Sequence, residues 1–335
     1  MADLGARLAV GFLPVLMFLA VLIFLDSYKL VRLRTVLAAL LLGGLVAGAS
    51  YLVNVTMLQR VALEFTAYSR YIAPVVEEVG KGLVLAYFIR ANKVGFLVDA
   101  AIFGFGIGTG FAMFENVYYW NLLPEASLVV WVVRGFGTAM MHGGVVAIFG
   151  IVSKSYVDER PSWGVFAFLP GLALAIVIHS LFNHFFLNPV LSAAAIMVLL
   201  PPFVSLMFHR SEQALRSWLD VGFDADTELL ELIHSGRLSD SRVGSYLHSL
   251  KEKFRGEVVA DLLCYLRLHT ELSLRAKGVL MMREAGFRPE VDPELRATFE
   301  ELEYLERSIG TTGKLALSPF LHISGKELWQ LYMLK

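Results

Sequence analysis

The sequence has little of what marks several large classes of protein. Its single cysteine, Cys264, excludes an internal disulfide. Its formal net charge of −1 gives no indication of nucleic-acid binding, so we expect no nucleic-acid partner. No HExxH motif is present, which excludes the common two-histidine zinc helix of metalloproteases. Charge is scarce in the first 209 residues, which hold 22 of the 59 Asp, Glu, Lys and Arg residues.

Long hydrophobic runs take the place of the missing charges. Hydrophobic residues make up 56% of the chain, and the mean hydropathy is +0.62. The contrast in charge predicts a membrane-embedded domain over residues 1–209 and a soluble helical domain over residues 210–335. The first apolar run, Leu8–Leu25, lacks a strong basic flank and a small-residue cleavage site. We therefore interpret it as a retained helix rather than a signal peptide.

Each crossing of a bilayer by a helix needs about 20 apolar residues. By that measure the sequence predicts seven membrane helices: Leu8–Leu25, Thr35–Met57, Tyr71–Ile89, Val94–Trp120, Gly135–Val152, Trp163–Leu187 and Pro189–Phe208. The run Asn121–Val133 contains Pro124 and Glu125, and is predicted to be interfacial or re-entrant rather than a span. The predicted fold is an all-α, polytopic membrane bundle with an all-α cytoplasmic C-terminal domain.

Basic residues favour alternate ends of these helices. One side would carry Lys29, Arg32, Arg34, Arg90, Lys93, Lys154, Arg160, Arg210 and Arg216, and the other only Arg7, Arg60, Arg70 and Arg134. The positive-inside rule then places the N-terminus outside and the C-terminal domain in the cytoplasm. We expect an integral protein of the cell membrane.

Ionisable side chains interrupt the apolar helices at five positions: Glu77, Glu78, Glu115, His142 and His179. An ionisable group in hydrocarbon is costly unless it faces a partner or a wet cavity. In the predicted topology all five lie in the extracytoplasmic half of the bilayer, at similar depths on four helices. This arrangement predicts a shared cavity that carries out chemistry inside the membrane.

The carboxylates of Glu77 and Glu78 share a helix with Lys81, at the spacings of side-chain ion pairs. One lysine cannot neutralise two carboxylates, so the second is protonated, bound to a metal or paired elsewhere. The alternative is an internal salt bridge that only fixes packing. We assign Glu77 or Glu78 as the general base that activates a water molecule.

The imidazole of His179 and the amide of Asn183 lie on one helix face. His179 can act as an acid–base group or a metal ligand, and Asn183 can donate to a developing oxyanion. Glu115 and His142 either orient the water or help to bind a metal. Because two histidines and a carboxylate form a known catalytic zinc set, Glu115, His142 and His179 are the predicted metal ligands. This count permits zinc but does not demand it.

Four motifs follow one another along the chain: Glu77-Glu78-x-x-Lys81, Phe111-x-x-x-Glu115-Asn116, an isolated His142, and His179-x-x-x-Asn183. The series resembles the PrsW family of intramembrane proteases, relatives of the CAAX-prenyl proteases and bacteriocin-processing membrane proteins. The likeness covers roughly residues 40–210. CAAX-type relatives carry His at the position of Glu115, so Glu115 matches the PrsW branch. The resemblance implies site-1 type cleavage of a membrane-anchored anti-sigma factor near the extracytoplasmic face, by a family named for its glutamates and also classed as metal-dependent.

We therefore predict an intramembrane endopeptidase, glutamic-type or zinc-dependent, that acts in the lipid bilayer on a single-span membrane protein. Its predicted catalytic residues are Glu77, Glu78, Glu115, His179 and Asn183. A proton-coupled transporter or ion pathway would use the same residue types. However, the sequence shows no inverted repeat and no pair of broken helices. A non-catalytic membrane scaffold is the third alternative.

The C-terminal domain shows helical periodicity and no strand pattern. The predicted helices are Asp224–His234, Asp240–Lys253, Gly256–Glu284 and Pro293–Ile309, with Asp240 and Asp292 as N-caps and Gly286 and Gly310 as stops. Its histidines have no ligand spacing, and no acid, base and nucleophile converge there. We expect it to bind a cytoplasmic partner, to self-associate or to stabilise the bundle rather than to catalyse.

Overall fold

The computed structural model describes residues 2–28, 30–61, 63–287 and 295–321, and every regular element in those ranges is helical. The predicted all-α class is therefore confirmed for the described part of the chain. The chain divides into two compact units, Met1–Ser211 (the membrane unit) and Glu212–Lys335 (the C-terminal unit). The predicted boundary at residues 209 and 210 lies close to this division.

The first nine α-helices of the described chain begin in the membrane unit. They are α1 (Ala2–Leu25), α2 (Leu33–Arg60), α3 (Phe65–Tyr71), α4 (Ala73–Arg90), α5 (Leu97–Leu122), α6 (Leu128–Val132), α7 (Met140–Glu159), α8 (Leu169–His184) and α9 (Pro189–His234). A π-helical segment, Val133–Ala139, joins α6 to α7. A 3-10 segment, Pro161–Phe168, precedes α8. The division between the units falls within α9.

Six stretches of the described residues are long and apolar enough to cross a membrane: Gly5–Leu25, Leu33–Arg60, Leu97–Leu122, Leu128–Glu159, Ser162–His184 and Pro189–His234. Six of the seven predicted spans overlap them. The remaining prediction, Tyr71–Ile89, corresponds to α4, an 18-residue helix. Its composition keeps α4 out of the apolar set, because Glu77, Glu78 and Lys81 lie near its middle. That α4 makes a seventh crossing stays a prediction.

Helix α5 is central to the membrane unit, buried throughout Val98–Ala112 and packed mainly against α7 and α2. Glycines allow α2 to approach it closely. A Cβ atom on Gly43 would lie 2.0 Å from the Ile107 carbonyl oxygen, and one on Gly110 would lie 1.9 Å from the Leu40 carbonyl oxygen. No other residue type fits at either position without a shift of backbone.

Glycines also bring α5 against α7. A Cβ atom on Gly104 would lie 2.5 Å from the Val146 carbonyl oxygen, and one on Gly108 would lie 2.2 Å from the carbonyl oxygen of His142. The second contact fixes the position of the His142 backbone relative to α5. Packing between two apolar helices thus sets the place of one predicted site residue.

The run Asn121–Val133, predicted to be interfacial or re-entrant, divides in the structure between the end of α5, a turn and the start of the next helical stretch; its place relative to the membrane surface stays a prediction. Helix α5 continues to Leu122, a turn follows at Pro124 and Glu125, and helix resumes at Leu128. Proline cannot continue a helix interior, so it ends α5. The apolar residues that follow belong to the helical stretch Leu128–Glu159.

The C-terminal unit is built from helices within its described residues. They are the end of α9, α10 (Arg242–Ser249), α11 (Gly256–Glu284) and α12 (Leu295–Leu321), with 3-10 segments Arg237–Asp240 and Leu250–Glu252. Helices α11 and α12 pack on each other. Leu266 on α11 and Leu305 on α12 are buried, as their helical periodicity predicts.

Helix ends in this unit match the predictions only in part. Ser241, not Asp240, caps α10, because its hydroxyl accepts a backbone N–H of the first turn at 3.1 Å. Gly286, with φ of +85°, follows the end of α11 as predicted. Gly310, with φ of +63° and ψ of −175°, breaks the helical backbone as predicted, and a second helical segment within α12 runs from there to Leu321. The predicted cap Asp292 and start Pro293 lie outside the described residues.

Candidate active site

A cavity of about 510 Å³ lies in the membrane unit, lined by α2, α3, α4, α5, α7 and α8 together with the π-helical segment. Its ionisable and amide-bearing lining residues are Asn54, Glu77, Glu115, His142, His179 and Asn183; its aromatic ones are Tyr51, Phe65, Tyr68, Phe111, Phe114, Tyr118 and Tyr119. An apolar cavity with a few convergent polar groups is typical of a binding or active site. All the residues predicted for the site line this cavity except Glu78.

The neighbouring carboxylates of α4 have different surroundings. Helix α4 begins at Ala73 with Pro74, a residue suited to the first helical turn. Successive residues of an α-helix point about 100° apart, which follows from 3.6 residues per turn. The Glu77 side chain is 15% exposed and faces the cavity, whereas that of Glu78 is 1% exposed. The two carboxylates therefore cannot have the same role.

Glu78 joins a cation to an imidazole, and we call Lys81, Glu78 and His179 the Lys81 triplet. Oε1 of Glu78 accepts hydrogen bonds from Lys81 Nζ and from His179 Nδ1, each at 2.7 Å. Because an ionised carboxylate only accepts, His179 carries its hydrogen on Nδ1 and leaves the lone pair on Nε2. That Nε2 lies 3.9 Å from Oε2 of Glu77. Glu78 thus orients His179 toward the cavity carboxylate.

Lys81 is fully buried and links the two halves of the site. Its Nζ lies 2.8 Å from His142 Nδ1, 3.8 Å from Glu77 Oε2 and 3.8 Å from the centroid of the Phe111 ring. An ammonium group only donates, so His142 Nδ1 accepts and its hydrogen lies on Nε2. That Nε2 donates to Oε2 of Glu115 at 3.1 Å.

Arg134 completes a second set, and we call Arg134, Glu115 and His142 the Arg134 triplet. Nη2 of Arg134 lies 3.5 Å from Glu115 Oε2. The arginine belongs to the π-helical segment, an irregularity often found at functional sites. Together the two triplets and Glu77 place three carboxylates beside one lysine, one arginine and two imidazoles. One carboxylate is in surplus. Glu77 and Glu115 both line the cavity, but Glu115 contacts Arg134 and His142, whereas Glu77 lies 3.8 Å from Lys81 and 3.9 Å from His179.

Three donors converge at the cavity in a way that fits a metal. Ligand atoms of Glu77, His142 and His179 all lie within 4.8 Å of one another. The two rings meet edge to face, with centroids 4.8 Å apart and planes at 89°. Two imidazoles and a carboxylate are a donor set of catalytic zinc sites. The predicted set had Glu115 in place of Glu77; in the structure, Glu115 instead contacts His142 and Arg134.

The amide of Asn183, predicted to face an oxyanion, has a backbone partner. Its Nδ2 donates to the Ser69 carbonyl oxygen at 2.9 Å. One turn earlier, Ser180 Oγ donates to the Arg70 carbonyl oxygen at 2.7 Å. Both bonds tie α8 to α3, so Asn183 lines the cavity while it holds one of the cavity walls in place.

Sequence reasoning missed Arg134 as a site residue. The predicted span begins one residue later, at Gly135, which places Arg134 outside the membrane helices. The helix in fact begins at Leu128, so Arg134 lies within it. A charged residue within an apolar helical stretch was the signal that could have found it.

Comparison with known families agrees with this geometry. The family model described as PrsW family intramembrane metalloprotease matches residues 32–207, more than half of the chain. The matched range contains every residue of both triplets and Glu77. Neither the curated proteins nor the solved structures give a match.

Proposed function

We propose that this chain, which belongs to the PrsW family of intramembrane metalloproteases, hydrolyses a peptide bond of a single-span membrane protein near the extracytoplasmic face of the bilayer. The observation that carries the proposal is the convergence of Glu77, His142 and His179 at one cavity between the membrane helices. Family membership supports proteolysis inside the membrane. A membrane-anchored anti-sigma factor is the substrate class that we propose.

Glu77 is the proposed reactive carboxylate. It faces the cavity, and its Oε2 lies 3.8 Å from Lys81 Nζ and 3.9 Å from His179 Nε2, beyond hydrogen-bonding distance in both cases. Its oxygen is therefore available to take a proton from an attacking water. Glu78 has no such freedom, because its Oε1 accepts two short hydrogen bonds. The choice of base between the two carboxylates thus falls on Glu77.

The donor set supports a metal as well as a metal-free mechanism. In the metal-dependent form Glu77, His142 and His179 would hold a divalent metal, with zinc as the proposed ion, and Glu77 would then be a ligand rather than the free base. When bound, the metal would supply Lewis-acid polarisation of the scissile carbonyl. His142 would have to exchange one present partner for that role, since Lys81 and Glu115 contact its two nitrogens. His179 already has its Nε2 lone pair directed toward Glu77.

The side of cleavage follows from the proposed orientation. With the N-terminus outside, the cavity lies in the extracytoplasmic half of the membrane unit. Cysteines placed at Glu125 and at Glu159, in a Cys264→Ala background, test this orientation. We expect a membrane-impermeant thiol reagent to label Glu125→Cys in intact cells and Glu159→Cys only after permeabilisation. The reverse pattern would reject the orientation.

The direct test uses the purified full-length protein in detergent with a single-span substrate. We expect two fragments, with mass spectrometry locating the cut near the extracytoplasmic end of the substrate's span. A chelator that stops cleavage, with recovery on addition of zinc, would establish the metal-dependent form, and chelator resistance the glutamic form. Intact substrate, together with proton flux into liposomes, would show a transporter instead and overturn the proposal.

A further inference from the structure

We propose that Arg134 is a positioning residue of this peptidase site: its guanidinium holds Glu115, and Glu115 holds the ring of His142. The inference rests on the proposed function and deepens it. It gives a role to the half of the site that lies on α5 and the π-helical segment.

The Arg134 triplet repeats the plan of the Lys81 triplet. In each, a cation lies beside a carboxylate, and one oxygen of that carboxylate contacts one ring nitrogen of a histidine. A carboxylate on one ring nitrogen fixes the tautomer and orientation of an imidazole and raises its basicity. The two rings meet edge to face at the cavity. By holding its carboxylate in place, each cation therefore helps to fix whether the other ring nitrogen of the histidine carries a hydrogen or a lone pair.

Arg134 itself is held on several sides. Its Nε donates to Asn116 Oδ1 at 2.8 Å, and Asn116 Nδ2 in turn donates to the Gly11 carbonyl oxygen of α1 at 2.8 Å. The guanidinium carbon lies 3.8 Å from the centroid of the Tyr119 ring. The side chain is 11% exposed. A planar group fixed in this way presents its remaining nitrogens in one direction, which a flexible lysine cannot do.

The remaining nitrogen is directed to Glu115. Nη2 of Arg134 is buried without a hydrogen-bond partner among the described residues, and Oε2 of Glu115 lies 3.5 Å from it. Burial of an uncompensated charge is costly, so this ion pair compensates the guanidinium. The pair joins α5 to the helical stretch that carries His142. Loss of Arg134 would free Glu115 to swing and would release His142 Nε2.

An arginine that only stabilises the fold would give a different pattern of single-variant and double-variant effects from one that positions Glu115. If Arg134 acts through Glu115, its removal adds nothing once Glu115 has lost its charge. A double-mutant cycle measures this directly, because residues that act through one another give non-additive effects. Zinc affinity gives a second readout that does not require turnover.

The experiment uses the full-length protein and four variants: Arg134→Gln, Arg134→Lys, Glu115→Gln and the double Arg134→Gln, Glu115→Gln. Arg160→Gln is the matched control, since Arg160 also lies over an aromatic ring, 4.5 Å from the centroid of Trp163, but belongs to neither triplet. Cleavage kinetics, zinc titration and thermal unfolding are measured for each.

We expect Arg134→Gln to lower kcat and zinc affinity by about 10–100-fold, the usual effect of losing an outer-shell partner, with KM little changed. The lysine variant should recover only part of the loss. The double variant should match Glu115→Gln, and Arg160→Gln should match the wild type. Multiplied losses in the double variant, or a lower melting temperature with unchanged kcat and zinc affinity, would overturn the proposal. A wild type that binds zinc with this coupling but cleaves nothing would instead reject the proposed function.

Discussion

The two units of this protein each bury a lysine beside a carboxylate, and each contains a cavity. In the membrane unit Lys81 Nζ lies 2.7 Å from Glu78, and the cavity measures about 510 Å³. In the C-terminal unit Lys277 Nζ lies 2.7 Å from Asp226, and the cavity measures about 460 Å³. Because both units have a lysine–carboxylate pair and a cavity of similar volume, neither feature distinguishes one unit from the other.

What separates them is the balance of charge. The C-terminal pair is one cation for one carboxylate, completed by the Gly222 carbonyl oxygen, which accepts from Lys277 Nζ at 2.9 Å, and by Ser273, which donates to Asp226 at 2.5 Å. The membrane cavity has a carboxylate in surplus and two imidazoles that meet edge to face. A satisfied pair stabilises a fold, whereas surplus charge beside imidazoles can bind a metal or move a proton.

Among the variants that test this contrast, substitution of His179 should cause a large loss of cleavage rate. His179→Asn removes the ring nitrogen that faces Glu77, and we expect cleavage to fall by about 10²–10⁴-fold, as for loss of an acid–base group. The matched control is His184→Asn on the same helix, because His184 contacts Tyr71 and the Ser180 backbone rather than the triplets. Equal rates for the two variants in a purified assay would remove His179 from the mechanism.

A smaller loss of rate is expected from Glu78→Gln. The amide keeps the shape of the side chain but cannot hold both Lys81 and His179 Nδ1 as the carboxylate does. We expect kcat to drop by about 10–100-fold, since Glu78 acts through His179. We also expect a lower melting temperature, because Lys81 remains buried with a weakened partner. Cleavage at the wild-type rate would show that Glu78 only stabilises the helix bundle.

Packing around His142 should have a more moderate effect. Gly108→Ala would put a methyl group 2.2 Å from the His142 carbonyl oxygen, so α7 must shift. Overpacking of this kind costs about 1–3 kcal/mol of stability, and the displaced ring should slow cleavage. At Gly44, where the nearest atom is 3.7 Å away, alanine should be tolerated. Matching unfolding temperatures and rates for both variants would contradict the predicted close contact.

The smallest effect on cleavage is expected in the C-terminal unit. Lys277→Met breaks its buried ion pair and should lower the free energy of unfolding by about 3–5 kcal/mol. Adding Asp226→Leu removes the unpaired charge and should restore much of that loss. Folded protein of either kind should cleave within about twofold of wild type, as for sites away from the chemistry. A large loss of rate without unfolding would show that this unit supplies something the site needs.

The all-helical fold was predictable because apolar length and helical periodicity dominate this sequence. Six of the seven predicted spans overlap the apolar helices, and Gly256–Glu284 matches α11 at both ends. The predicted start at Gly135 was wrong because the charged Arg134 interrupts the apolar pattern, although the helix continues through it. Helix starts such as Ser241 depend on which of two neighbouring side chains reaches a backbone N–H, which spacing alone does not decide.

For the site, the sequence indicated the residues but not their division of labour. The rarity of ionisable groups in membrane helices brought Glu77, Glu78 and His179 into the prediction. Which carboxylate faces the cavity depends on the rotation of α4 against its neighbours. The predicted metal donors include Glu115, whereas the structure groups Glu77 with the two histidines. This difference depends on Arg134, which pairs with Glu115 and belongs to a helix that begins earlier than predicted.

The most direct test of the central claim, that Glu77 carries the reaction, is single-turnover cleavage by the Glu77→Gln variant beside wild type. Glutamine fills the same space at the cavity but cannot accept a proton at neutral pH. We expect a loss of about 10²–10⁴-fold or more in rate, with the unfolding temperature unchanged. Cleavage by Glu77→Gln at the wild-type rate and at the same bond would contradict it.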